Sequence, residues 1–201
     1  MKKRIFATLF FLILTPWLCA DAFLIEGKLA YFLPNSSTLR EIYGSSWLNS
    51  QVEITHPLTC WPIPLSAFWS INYLSNCGES IDDQDGTKIR ILPISGGLKF
   101  RHNLRDDEKL RIDFYAGAGA RYYFIHVKNS SDFVKRTVNK DGLGWVAQGG
   151  LLFFLNCRVC IDLFADYSSK TFDFSSTAPL VTGHKVNVGG FSAGGGIGFQ
   201  F

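Results

Sequence analysis

Residues 186–201 read VNVGGFSAGGGIGFQF, and they sort by parity. Phe191, Ala193, Gly195, Ile197, Phe199 and Phe201 share one parity. Gly190, Ser192, Gly194, Gly196, Gly198 and Gln200 share the other, where Val188 is the one large apolar member. Successive side chains of a strand point to opposite faces, so this stretch is a strand with one apolar face and one small or polar face. Two architectures accept such a strand: a soluble sandwich or barrel with the apolar face inward, or a membrane barrel with that face toward lipid.

The other end of the chain separates them. Lys2, Lys3 and Arg4 precede an apolar run over residues 5–14, Pro16 breaks it, and Ala20-Asp21-Ala22 is a small-x-small site. That is the pattern of a secretory signal peptide, and its apolar run is too short to span a bilayer as a helix. Residues 1–22 are therefore expected to be removed, with cleavage after Ala22 preferred and after Ala20 next. The bulky Pro16, Trp17 and Leu18 before Cys19 argue against a lipoprotein signal. Residues 23–201 are expected to form one domain.

The closing pattern Gly-x-x-aromatic-x-aromatic, carried by Gly196, Phe199 and Phe201, resembles the last strand of bacterial outer-membrane β-barrels. That family usually has a polar residue two before the glycine, where this chain has Gly194. The resemblance implies that Gly196, Phe199 and Phe201 form a membrane-insertion signal read by the barrel-insertion machinery.

Composition agrees with a β protein: 18 Phe and 19 Gly against a single Met. Removing residues 1–22 takes three of the 20 basic and one of the 17 acidic residues, leaving a net charge of about +1. That balance points to no nucleic-acid partner. After the signal no apolar run is long enough for a transmembrane helix, so a membrane form must be a closed barrel, because lipid cannot satisfy open strand edges. Eight strand-like segments can be marked, at about 23–33, 47–56, 62–74, 88–101, 110–125, 144–155, 158–170 and 187–201. Long polar connections (34–46, 75–87, 126–143, 171–186) alternate with shorter ones (57–61, 102–109, 156–157). This is the pattern of an eight-stranded antiparallel up-and-down transmembrane β-barrel with both termini on the periplasmic side.

Charges share parities within these segments. Glu26 goes with Lys28, Lys99 with Arg101, Arg111 with Asp113 and Arg121, and Asp162 with Asp166; Glu53 shares its face with Gln51. Parity alone leaves open which face is inside; the signal peptide and Phe201 put the charges inside. Eight strands enclose a space that side chains can fill. Glu26, Lys28, Glu53, Lys99, Arg101, Arg111, Asp113, Arg121, Asp162 and Asp166 are therefore expected to form a lumen charge network, since buried charges persist only when paired. Aromatics near strand ends (Tyr31, Phe32, Trp47, Trp61, Tyr73, Phe100, Tyr122, Tyr123, Phe124, Trp145, Tyr167) fit interfacial girdles. Pro93 interrupts the fourth segment.

Little in the chain suggests chemistry. Cys157-x-x-Cys160 opens a strand rather than a helix and lacks further ligands at metal spacing, so redox and zinc readings are weak. Export places the cysteines in an oxidising compartment. Cys60, Cys157 and Cys160 fall at the periplasmic end as candidate disulfide partners. Cys77 falls in an external loop and is expected to be free or to pair between molecules. Asp82, Asp83 and Asp85 before Gly86 lack the remaining calcium-loop ligands. Thr38-Leu39-Arg40-Glu41 is a capping box before Gly44 and predicts a helical turn at the barrel mouth. Lys128, Lys135, Arg136 and Lys140 offer cations to lipopolysaccharide or a host glycan. His126 and His184, near Ser130, Ser131 and Asp132, have no recognisable triad spacing.

The chain thus resembles the small OmpA/OmpX-like outer-membrane barrels along its mature length. The resemblance implies an envelope protein without catalytic or metal site or cofactor, partnered by outer-membrane lipid and the insertion machinery, with recognition in its outer loops. A small-solute pore and a soluble secreted lipocalin-like barrel binding an apolar ligand remain the alternatives.

Overall fold

The computed structural model describes residues 23–58, 63–79, 86–107, 110–129, 137–155, 158–173 and 185–201. Its elements are β1 (Leu24–Pro34), α1 (Ser37–Tyr43), β2 (Trp47–Pro57), β3 (Leu65–Glu79), β4 (Gly86–Asp107), β5 (Leu110–Asn129), β6 (Thr137–Phe154), β7 (Val159–Ser169), β8 (Thr171–Asp173), β9 (Lys185–Asn187) and β10 (Gly190–Gln200). Strands β1 to β7 pair antiparallel with their chain neighbours, β7 pairs with β10, and β10 pairs with β1. Eight strands therefore close a ring and leave no free edge. The short β8 and β9 form a separate two-stranded ribbon in the last long connection. Both ends of the chain meet: the Phe201 amide donates to the Phe23 carbonyl at 2.9 Å, and the two rings stack with centroids 5.1 Å apart.

Burial follows the pleat. In β1 Leu24, Glu26, Lys28, Ala30 and Phe32 are buried, while Leu29, Tyr31 and Leu33 between them are exposed. In β10 the Phe191, Ile197 and Phe199 parity lies outside and the Ser192 and Gly198 parity inside. The charged residues thus lie in the lumen, among buried side chains such as Tyr115 and Phe164, while large apolar ones cover the exterior, the reverse of a soluble barrel and the arrangement that hydrocarbon requires. From Phe191 to Phe201 a strand tilted by roughly 40° rises about 26 Å, close to the apolar height of such barrels. Among the described residues no helix is long and apolar enough to cross a membrane.

Two irregularities have local causes. Pro93 has no amide hydrogen, so the β3–β4 ladder is interrupted between the pairs Ile71–Ile94 and Leu74–Ile91. The register is the same on both sides of that gap. Leu104 is an extra residue in β4 that shifts the β4–β5 register between Asn103 and Arg105 as a bulge.

The structure corrects several sequence expectations. Strands β3 to β6 run well beyond their expected outer bounds, so much of 75–87 and 126–143 is paired hairpin rather than loop. Outside a bilayer these segments keep alternating but with reversed polarity, and so lack the lipid-facing signature. The helix begins at Ser37 with Ser36 at its N-cap and no side-chain capping bond; the Thr38–Glu41 capping box is not used. Gly44 ends it at φ 86, a backbone angle that suits glycine.

Candidate functional site

The lumen's middle is built around Lys28. Strand β1 carries Glu26 and Lys28 inward, β2 carries Glu53, β4 Lys99, β5 Tyr115 and β7 Asp162. The Lys28 ammonium lies 2.6 Å from Asp162 Oδ2, 2.8 Å from Glu53 Oε1 and 3.3 Å from Glu26 Oε1. Lys99 donates to the same Glu53 Oε1. The Tyr115 hydroxyl donates to Asp162 at 2.9 Å, and its ring lies 4.4 Å under the Lys99 ammonium and 5.5 Å under that of Lys28. Glu53 is fully buried, so it joins two cations without help from bulk water. A line of amides ties this group to the wall. Gln51 donates to Glu53 Oε2 (3.3 Å), Asn72 to Gln51 (2.9 Å) and to Asn49 (3.3 Å), and Asn49 to Ser192 (3.4 Å). Glu53, Asp162 and the amides are satisfied in this way, whereas the buried Glu26 carboxylate has only its 3.3 Å ion pair to Lys28.

Inward glycines make the room. A Cβ on Gly196 would sit 2.8 Å from Lys28 Cγ, and one on Gly117 2.8 Å from Lys99 Cγ. The two lysine stems therefore lie where neighbouring strands have no side chain. Gly196, expected as part of an insertion signal, thus has a direct role in lumen packing.

Two smaller ionic groups flank the middle. Toward the chain termini, Arg101 Nε donates to Asp113 Oδ2 at 2.7 Å, Arg111 reaches the same oxygen at 3.2 Å, and Asn103 donates to Oδ1 at 2.8 Å. Both guanidinium groups pack on the Phe154 ring, and the group lines an open cavity of about 420 Å³. Toward the long connections, Arg121 bonds Asp166 at 3.1 Å and Ser95 at 2.8 Å. The structure thus places all ten charged residues singled out from the sequence inside the ring, in three ion-paired groups. A void of about 10 Å³ beside Glu26, Lys99 and Tyr115 has room for one water at most.

Above Arg121 the lumen becomes apolar. Phe32, Leu39, Tyr43, Trp47, Leu74, Ile89, Ile91, Tyr123, Ile125, Phe172, Val186 and Val188 form one buried cluster. Helix α1 and the β8–β9 ribbon supply its lid. Trp47 donates to the Gly44 carbonyl at 3.0 Å, Asn76 donates to the Tyr43 carbonyl at 2.6 Å, and the Tyr43 hydroxyl meets that of Thr87 at 3.1 Å. Burial pushes the Tyr43 phenol pKa up, with the Thr87 bond opposing it. Sequence reasoning missed this cap because its members come from six separated stretches of the chain, from Phe32 to Val188. The one available signal was the inward parity of Ile89, Ile91, Tyr123 and Ile125.

The other expected residues divide. Tyr31, Tyr73, Phe100, Phe124, Trp145 and Tyr167 face outward as girdle residues should, but Phe32, Trp47 and Tyr123 face inward and belong to the cap. Trp61 lies outside the described residues. Cys160 is a free buried thiol against Gly198, not a bridged cysteine, and Cys77 is a free exposed thiol. Cys77 lies within β3 opposite Lys88 rather than in a loop. Cys60 and Cys157 lie outside the described residues, as do Asp82, Asp83, Asp85, Lys135, Arg136, His184 and the Ser130–Asp132 run. His126 is exposed on β5 and its Nδ1 bonds Asn139 Oδ1 at 2.7 Å. Among the described residues no cluster could hold a metal ion.

A scan of protein-family models finds no match, and neither does a search of curated protein sequences. Solved structures do match. OprG of Pseudomonas aeruginosa aligns over 90% of this chain and 96% of its own, at 14% identity and TM-score 0.61. This is the fold of a small outer-membrane β-barrel. Neisserial surface protein A matches 90% of this chain and 99% of its own at 12% identity and TM-score 0.55. Ail of Yersinia pestis, an attachment invasion locus protein solved with the heparin analogue sucrose octasulfate, matches 90% and 98% at 15% identity and TM-score 0.50. An apolar exterior and a charged interior are what such a fold needs in a bilayer.

Proposed function

We propose that this outer-membrane barrel is a non-catalytic surface-interaction protein, displaying a recognition surface at the end that carries α1 and the β8–β9 ribbon. The observation that carries the reading is the filling of the lumen: three ionic groups and an apolar cap occupy the path a solute would take. A pore needs a continuous wet path, and a lipocalin-like carrier needs an apolar cavity inside and a polar exterior. The exposed Leu29, Val52, Ile71 and Leu163 oppose the carrier. The surface that remains is the loop end, and Ail's name gives a precedent for attachment on this fold. Signal cleavage near Ala22 and insertion through the terminal strand complete the reading.

Adhesion tests it. Cells displaying the barrel are compared, on surfaces coated with extracellular matrix, with cells whose residues 35–46 and 170–189 are replaced by Gly-Ser linkers. Heat-dependent gel mobility checks folding. The expected result is adhesion by the parent and its loss in the replaced form. Equal adhesion by both would overturn the loop-end assignment.

A further inference from the structure

The outer wall of β4 and β5 carries a ladder of basic residues that form no ion pair among the described residues. Outward pairs climb in register: Leu92 faces Phe124, Arg90 faces His126, and Lys88 faces Lys128. Like charges directly opposite one another on a sheet repel and weaken the pairing, so Lys88 with Lys128 needs a reason. The neighbouring strands do not neutralise it. Opposite Arg90 and Lys88 on β3 stand Ser75 and Cys77; opposite His126 and Lys128 on β6 stand Asn139 and Thr137. The nearest described carboxylates on this face are Glu79 and Asp141. Asp141 accepts the Tyr122 hydroxyl, and neither forms an ion pair with Lys88, Arg90 or Lys128. The acidic run Asp82–Asp85 lies outside the described residues.

A groove of about 360 Å³ lies at the foot of this ladder, lined by Tyr73, Arg90, Leu92, Phe124, His126 and Asp141. Its floor continues the lipid-facing band through Tyr73, Leu92 and Phe124, and Arg90 and His126 form its upper rim. His126 Nδ1 is engaged by Asn139 Oδ1, which fixes the ring as part of the rim. The level matters as much as the charge. On strands tilted about 40°, two residues rise about 5 Å, so Arg90 and His126 stand about 5 Å above Leu92 and Phe124, and Lys88 and Lys128 about 10 Å above. The headgroup zone of a leaflet is about 5–8 Å deep. Arg90 therefore stands in the headgroup zone directly above acyl chains, and Lys88 and Lys128 stand at its outer boundary, within reach of their long stems.

We propose that the β4–β5 wall is a binding site for a phosphorylated acyl lipid of the outer leaflet. Arg90, Lys88 and Lys128 would take its phosphate, with His126 as part of the rim, and Tyr73, Leu92 and Phe124 would carry its acyl chain. The site lies on the side of the barrel and depends on its membrane placement, not on the adhesive role of the loop end. Charge complementarity together with the continuous apolar floor selects a lipid over free phosphate.

Native mass spectrometry of the full mature barrel in neutral detergent, with lipid A as probe, tests the proposal. Arg90→Gln with Lys128→Gln is expected to weaken lipid A binding by about tenfold or more. Arg105→Gln, at the opposite end of the barrel, is expected to leave it unchanged. Arg90→Lys keeps the charge and supplies a readable variant if the double substitution does not fold. Gel mobility without boiling reports folding separately, so loss of the site is distinguishable from loss of the barrel. Equal binding of dephosphorylated lipid A, competition by inorganic phosphate at equal concentration, or no change in the double variant would each overturn the assignment.

Discussion

Below the level of Leu92 and Phe124, β4 and β5 turn Lys99, Asp113 and Arg121 inward and Ile94, Leu98 and Phe114 outward. Above it the same uninterrupted pleat turns Ile89, Ile91 and Ile125 inward and Arg90, His126 and Lys128 outward. The pleat keeps its phase across the boundary, where the Pro93 gap in the β3–β4 ladder leaves the register unchanged. The surroundings change: acyl chains outside the lower part favour an apolar wall and leave the lumen to the charges, while polar headgroups and water outside the upper part restore the ordinary inside-out rule. The barrel therefore has two cores of opposite chemistry stacked along one axis, and the height at which polarity reverses marks the outer edge of the bilayer.

Four substitutions, two of them set against a paired control, would break or sharpen that comparison, measured by urea unfolding in phosphatidylcholine vesicles unless stated. Glu53→Gln strips the carboxylate that joins Lys28 and Lys99 and leaves buried positive charge; the expected loss is about 4 kcal/mol. A loss below about 1 kcal/mol would show that the lower core is hydrated rather than ion-paired. Trp47→Ala removes the centre of the upper core and should lower the local opening free energy by about 3 kcal/mol. Hydrogen exchange should then quicken in α1 and the β8–β9 ribbon while β1 and β7 amides near Lys28 and Asp162 stay protected. Uniform loss of protection would mean one cooperative core, not two. Leu98→Arg places a cation against acyl chains and is expected to cost about 2–3 kcal/mol, against less than about 0.5 kcal/mol for Arg90→Leu above the reversal. Equal costs would misplace the bilayer edge. Gly196→Ala pushes a methyl group against the Lys28 stem and should cost about 1–2 kcal/mol. The adjacent Gly195→Ala, whose added Cβ meets nothing closer than 3.3 Å, should change stability by less than about 0.5 kcal/mol.

The lower core was the legible part. A two-residue period in residues 23–33, 47–56, 88–101, 110–125 and 158–170 put the charges on shared faces, and signal and terminal residues chose the inner one. Which charges pair was not legible. Lys28 meets Asp162 and Glu53 because β10 and β2 flank β1 in a closed ring, and cross-strand register is not written in any single segment. Tyr115 was overlooked because an aromatic on a polar face reads as a blemish until Lys28 and Lys99 lie over it. The upper core was least legible for a physical reason: once acyl chains no longer flank it, Thr87, Ile89 and Ile91 look like an ordinary amphipathic strand; the helical turn before Gly44 was expected, but not its packing into the lumen, and the polar connection after β7 hides the ribbon. Pro93 weakened the reading of β4 although it interrupts only one ladder and leaves the register unchanged.

The central claim is that both cores together seal the barrel. Single-channel recording of the mature chain in planar bilayers tests it most directly. The account predicts a quiet baseline at physiological salt, with current steps appearing only when Glu53→Gln and Trp47→Ala are combined. Sustained stepwise conductance by the unaltered chain would contradict it.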